Sequence, residues 1–189
     1  MTPSLSPAQS DRKLEELVSR QEIHDVLVRY CVGIDRGDLQ LVLSTFHAEA
    51  RDNHTGIEES AVERFTRTVV EAASMWTSHN LSNILVEVDG SSASAQSCFT
   101  AWHRFDIRKV PYDWVIAGRY LDRFECRNTE WRISHRTVVY DCERFDKVVT
   151  LPEGRPTLLD QAMRGSRSRS DLFYRLFRIP VTGTPPLTL

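Results

Sequence analysis

The chain has 189 residues, 41% of them hydrophobic and 26% charged, with a formal net charge of −2, which suits one soluble domain with a real core. So small a charge gives no field to gather nucleic acid or an anionic membrane, and no apolar run approaches the roughly 20 residues of a membrane span. Cys31, Cys98, Cys126 and Cys142 are widely spaced without a C-x-x-C pair, which argues against zinc or redox use and for small buried hydrophobes.

Residues 1–10 are rich in Pro and Ser and read as loose. They lack the basic region and apolar stretch of a signal peptide, so a reducing cytoplasm is the expected home. From Asp11, apolar residues recur at Leu14, Leu17, Val18, Ile23, Val26, Leu27, Tyr30, Cys31 and Ile34, the spacing of one helix face. Gly37 stops this helix, and Asp38 is placed to N-cap a second one carrying Leu39, Val42, Leu43 and Phe46. The stretch after it, with His47, Glu49, Asp52 and His54, reads as a polar loop, and as a metal site only weakly. A third helix is expected over 59–76, burying Val62, Phe65, Val69, Ala72 and Ala73.

The period then changes to two. Residues 79–90 read as a strand ending in an Asp-Gly turn, with 92–107 as its antiparallel partner. Residues 114–127 and 131–145 form a second hairpin across 128–130. Helices first and meandering strands after give an α+β fold. Three N-terminal helices can cover one face of such a sheet only if it curves, which makes a cone with an internal pocket. That domain is expected to span 11–145. Residues 146–189, with five prolines and one short helix around 171–178, read as an extension packing on the domain or on a neighbouring subunit. The basic cluster at 164–170, "RGSRSRS", reads as solvated surface, with a phosphate or subunit contact as the alternative.

The sequence has no Gly-rich phosphate loop, no G-x-S-x-G and no H-E-x-x-H, and its six histidines have no metal-ligand spacing. What stands out is polar residues where apolar ones are expected. Asp35 follows Ile34 at the end of the first long helix, and His79 lies at the entry to the first long strand. Strict alternation puts His79, Leu81, Asn83 and Leu85 on one face. It likewise puts Arg136, Val138, Tyr140 and Cys142 on one face of the last strand, opposite Trp131, Ile133, His135, Thr137 and Val139. A buried Asp beside a His makes chemical sense: the carboxylate takes the Nδ1 proton and supports the imidazolium formed when Nε2 acts as a base.

The segments "RYCVGIDRGDLQLVLSTFHAEA", "TSHNLSNILVEVDG", "GRYLDRFEC" and "WRISHRTVVYD", in that order over about 14–145, resemble the SnoaL-like group of the nuclear transport factor 2-like superfamily. The resemblance implies a curved antiparallel sheet packed by three helices into a cone with a deep pocket. Within the group the chain is most similar to the cofactor-free lyases of the scytalone dehydratase, bile acid 7α-dehydratase and hexachlorocyclohexane dehydrochlorinase types. Their catalytic Asp and His fall on Asp35 and His79. The last-strand Arg of the latter two falls on Arg136, and the bile acid type's Tyr, five residues before the Asp, falls on Tyr30. The dehydrochlorinase type has another residue there.

The alternatives from the residues themselves are a core aromatic at Tyr30 and an ion pair of Arg136 with Asp122. Asn83, Tyr120 and Tyr140 are expected to line the substrate pocket, Trp76, Trp102 and Trp114 to serve packing or subunit contacts, and His135 to be structural. The expected function is a cofactor-independent, dehydratase-like lyase acting on a hydrophobic cyclic or aromatic molecule. An isomerase, aldol-type cyclase or retro-aldol lyase with the same dyad is the first alternative. A non-catalytic scaffold like the small subunit of ring-hydroxylating dioxygenases, or a ligand-binding module, is the second. A homo-oligomer is expected, a trimer before a dimer.

Overall fold

The structure, a computed structural model, describes residues 6–54, 60–62, 70, 76–149, 157 and 160–177. Helix α1 (Pro7–Arg36) starts earlier than the loose terminus suggests, because Ser6 and Gln9 form a capping box and Pro7 occupies the first helical position. It ends at Gly37, whose φ of +64° reverses the chain. The amides of Gly37 and Asp38 bind the carbonyls of Ile34 and Gly33. Asp38 then caps α2 (Leu39–Leu43), its Oδ1 accepting from the Leu41 amide at 3.1 Å.

Phe46 does not continue α2; it opens β1 (Phe46–Asn53), so the stretch read as a polar loop is a strand. Its buried positions include Ala50 and Asp52, residues too small or too polar to show a period-two hydrophobic signal. The short β2 (Ser60–Ala61) pairs with β1. Of the third helix expected over 59–76, Phe65, Val69, Ala72 and Ala73 lie outside the described residues, while Val62 is buried.

Four long strands follow: β3 (Trp76–Asp89), β4 (Ser92–Ile107), β5 (Val110–Arg127) and β6 (Glu130–Lys147). The six-stranded sheet runs β2-β1-β6-β5-β4-β3, with β1 parallel to β6 and the other pairs antiparallel. Arg108–Lys109 and Asn128–Thr129 make the two later hairpin turns, all four residues with positive φ, the geometry that matches strand twist.

Bulges curve the sheet and break the expected alternation. On β3 the register shifts between Ser82 and Leu85, and Asn83 sits in the irregularity with a φ of +48°. On β6, Ser134 and Asp141 are extra residues in the pairing with β5. Trp131 and Ile133 therefore share the buried face with Arg136 and Val138 rather than opposing it, and Cys142 is exposed.

The core forms where Ile23, Val26, Leu27, Tyr30 and Ile34 of α1 meet Phe99, Ile116, Tyr120, Phe124 and Ile133 of the sheet. Leu14, Leu17 and Val18, expected in the same stripe, are 61%, 55% and 49% exposed. A helix of 30 residues is about 45 Å long, and its first half overhangs the core. After β6, residues 160–177 return to the C-terminal end of α1, with a single helical turn at Phe173–Leu176. The cysteines are free, and no helix among the described residues is long and apolar enough to cross a membrane.

Gly118 tests the packing at one of these bulges. A Cβ there would lie 2.2 Å from the Val139 carbonyl oxygen and 2.9 Å from the Phe99 ring. Gly118→Ala is expected to destabilise the protein by about 1–3 kcal/mol, measured as a lowered urea midpoint; an unchanged midpoint would show that the strands separate freely here.

Candidate active site

Asp35 ends α1 one residue after the buried Ile34, so the helix that fills the core also delivers a carboxylate to the sheet edge. Among the described residues β3 is the last strand of the sheet, with no strand beside its outer backbone groups. Asp35 supplies the missing partner: its Oδ2 accepts the His79 backbone N–H at 2.9 Å. Its Oδ1 accepts from Thr77 Oγ1 at 3.0 Å and lies 2.7 Å from His79 Nδ1. With the carboxylate ionised, Nδ1 carries the proton, the ring is held in one tautomer, and Nε2 keeps its lone pair for a substrate. The two side chains are 7% (His79) and 12% (Asp35) exposed.

His103 of β4 stands at the cross-strand position to Thr77, its ring edge-on to His79 with centroids 5.3 Å apart. Burial, with the neighbouring His79, pushes its pKa down to about 4, so it is a neutral imidazole at neutral pH. Burial also pushes the Cys31 thiol up to about 12, which removes it as a nucleophile.

Tyr30 lies deeper, in contact with Arg136. The Arg136 guanidinium is wholly buried between the rings of Tyr30 and Tyr120, 4.1 Å from each centroid. It donates to Asp122 twice, both at 2.7 Å, so the ion pair weighed at the sequence level is present. Burial opposes the charge on Arg136, but the Asp122 carboxylate outweighs it and the group stays protonated. Among the described residues no group lies in hydrogen-bonding geometry to its Nη1. Burial raises the Tyr30 and Tyr120 phenols well above their ordinary values, making them hydrogen-bond donors and not bases.

Tyr120 stacks on Phe99 at 4.4 Å, and Tyr140, half exposed, meets Phe99 edge-on. Together they form an aromatic wall. Asn83 does not share it: the β3 bulge leaves this residue exposed and off the alternation that paired it with His79. His47 binds the Glu125 carbonyl and His54 binds Asp52. A surface cavity of about 420 Å³, lined by Leu85, Gln96, Leu121, His135 and Thr137, opens on the face of the sheet away from His79.

With this geometry in place, the relationships of the chain become informative. Residues 15–137 match the SnoaL-like domain family. The chain belongs to that family. No curated protein sequence matches it. Among solved structures, it resembles a candidate scytalone dehydratase from Novosphingobium aromaticivorans at 20% identity and a TM-score of 0.63, covering 75% of this chain and 97% of that one. It also resembles the hexachlorocyclohexane dehydrochlorinase LinA-type3 of Novosphingobium barchaimii at 17% identity and a TM-score of 0.63, covering 76% and 99%. A Mycobacterium tuberculosis protein of unknown function, Rv3472, aligns at 20% identity with a TM-score of 0.58, covering 74% and 78%. At these identities the likeness is one of fold, the SnoaL-like cone of the nuclear transport factor 2 type, with an unclosed curved sheet.

Sequence reasoning missed Thr77 and His103. Thr77 sits two residues before His79 and shares its face, a signal that was available. His103 needed the β3–β4 register, which composition does not give.

The Arg136–Asp122 pair yields a stability prediction. Asp122→Ala leaves a guanidinium buried without its counter-charge, and is expected to lower unfolding free energy by about 3–5 kcal/mol in urea titrations. A loss below about 1 kcal/mol would mean that the pair adds nothing to the core.

Proposed function

We propose that the protein is a cofactor-independent lyase that eliminates water or another small fragment from a hydrophobic cyclic or aromatic molecule, with His79 as general base. Support comes chiefly from the three-point attachment of Asp35 to the His79 amide, the His79 ring and Thr77. A histidine serving only to pack would not need its tautomer and its backbone fixed by the same carboxylate. Nε2 takes a proton from carbon, the C–H electron pair becomes the new double bond, and the leaving group departs with its own bonding pair. Asp35 stabilises the imidazolium that results.

Tyr30, kept protonated by burial, and Arg136 through Nη1 are the donors available to a departing hydroxide or anion. Phe99, Tyr120 and Tyr140 suit a flat apolar ring. Isomerisation by the same base is the second reading, favoured by His103, a neutral imidazole beside His79 that can hold a developing enolate without surrendering a full proton.

Purified wild type and variants are to be given hydroxylated polycyclic and aromatic substrates while loss of water or rearrangement is followed. His79→Ala is expected to lower kcat about 10²–10⁴-fold with the fold intact by circular dichroism. Asp35→Asn is expected to be comparably severe, since an amide cannot support the imidazolium. Equal turnover by wild type and His79→Ala would reject His79 as the base. A compound that binds the wild type without being turned over would favour a ligand-binding module, and an iron–sulfur protein co-purifying in fixed ratio would favour the scaffold.

We also propose self-association, a trimer before a dimer. The overhanging apolar residues of α1 and the half-exposed Trp76–Trp102 pair support it. Sedimentation is expected to give a multiple of 21.7 kDa; a single species at that mass would refute it.

A further inference from the structure

The basic cluster at 164–170 is not simply solvated surface. It lies beyond the family match, which ends at 137, yet it packs on the end of α1 that carries Asp35. Arg36 donates to the Ser166 carbonyl at 3.2 Å and to Asp171 at 3.0 Å. Asp38 receives Arg169 at 3.0 Å and the Tyr174 hydroxyl at 2.8 Å. Between these two fastenings Arg167 turns inward. Its Nη2 reaches the Ile34 carbonyl at 3.3 Å and the Val70 carbonyl at 3.4 Å. The Arg167 backbone lies so close to Gly37 that a Cβ there would meet its carbonyl oxygen at 3.3 Å.

We propose that Arg167 is a positioning residue of the site: it ties the last turn of α1 to residue 70 and sets a fixed positive charge beside the Asp35–His79 pair. This rests on the lyase or isomerase reading given above. Three features carry it. The carbonyl Arg167 binds belongs to Ile34, so its hold is one residue from the catalytic carboxylate. The last turn of a helix carries partial negative charge, which makes it a poor place for an aspartate; a guanidinium there offsets that penalty. The residue is half-buried and in electrostatic contact with both Asp35 and His103, so its charge is felt inside the site. Among the described residues, the charged and titratable groups coupled to Asp35 include Cys31 from α1, His79 from β3, His103 from β4 and Arg167 itself, with Arg36 acting on Arg167.

The test uses the full-length protein, with Arg167→Ala, Arg167→Gln and Arg167→Lys compared with wild type and His79→Ala. The readout that needs no substrate is the His103 imidazole titration followed by NMR. Loss of the cation in the Ala and Gln variants is expected to raise the His103 midpoint by about half a pH unit, because a nearby positive charge disfavours imidazolium. Lys is expected to hold it near the wild-type position. On a substrate identified with the wild type, kcat is expected to fall about tenfold in the Ala and Gln variants, with Lys restoring most of it and KM little changed.

If none of the three variants moves the His103 midpoint, or Lys moves it as far as Ala, the inference is overturned and Arg167 is only a clasp. His79→Ala matching wild type would instead remove the catalytic reading, leaving the titration to decide the placement of the charge. Thermal unfolding of each variant separates a detached segment from a lost charge, since detachment would move Gln and Lys alike.

Discussion

Everything distinctive about the site depends on a carboxylate at the wrong end of a helix. Backbone carbonyls at a helix C-terminus make that position unfavourable for Asp by several tenths of a kcal/mol, and local propensity alone would remove Asp35. It persists because three donors converge on it from β3. The consequence is mechanical as well as chemical. An edge strand with unpaired amides is open to slippage or to pairing with another chain; by taking the His79 amide, Asp35 fixes the level of β3 against α1. The carboxylate that takes the edge amide through Oδ2 also holds the His79 ring through Oδ1, so Asp35 serves the placement of the strand and the orientation of the imidazole together.

The second buried charge works differently. Arg136 and Asp122 lie opposite each other on β6 and β5, and two tyrosine rings cover the guanidinium. A hydrophobic replacement of similar volume would fill that space at no loss of stability in many proteins. What the ion pair gives instead is orientation. Tyr30 comes from α1 and Tyr120 from β5, and both rings are fixed against one planar cation held bidentately. The phenols are thus aligned from two elements, their rings also meeting edge-on at 5.8 Å.

The legibility of these features follows their physics. α1, Gly37 and the Asp38 cap were readable because a 3.6-residue period and a stop signal are local properties. The four long strands were readable for the same reason. β1 was not, since its inward Asp52 and Ala50 give no hydrophobic alternation. Face assignments failed where bulges intervene: those of Asn83, Trp131, Ile133 and Cys142 rested on an alternation that holds only for unbroken pleats. Asp35 and His79 were legible as misfits, polar residues in segments otherwise built for burial, and the family resemblance joined them. Of their partners, Thr77 was within reach two residues before His79, whereas His103 and Arg167 depend on the β3–β4 register and on a segment returning from far along the chain, information no window of sequence contains.

Under the proposed function the Asp35–His79 pair does not choose between elimination and isomerisation, because both would begin with the same proton leaving carbon for Nε2. The choice lies with the groups that receive charge next. An elimination needs a donor where the leaving group departs, and the Nη1 of Arg136 and the Tyr30 phenol are the buried candidates. An isomerisation needs the proton returned to a neighbouring atom while negative charge rests on oxygen, which a neutral His103 can support by hydrogen bonding. The first set sits on α1 and β6, the second on β4 beside the sheet edge. A ring lying against Phe99 and Tyr120 with its acidic carbon at His79 would present different atoms to each set according to which way it faces. In the proposed function, reaction class therefore follows from substrate orientation against Phe99 and Tyr120, and the helix-end carboxylate serves either outcome unchanged.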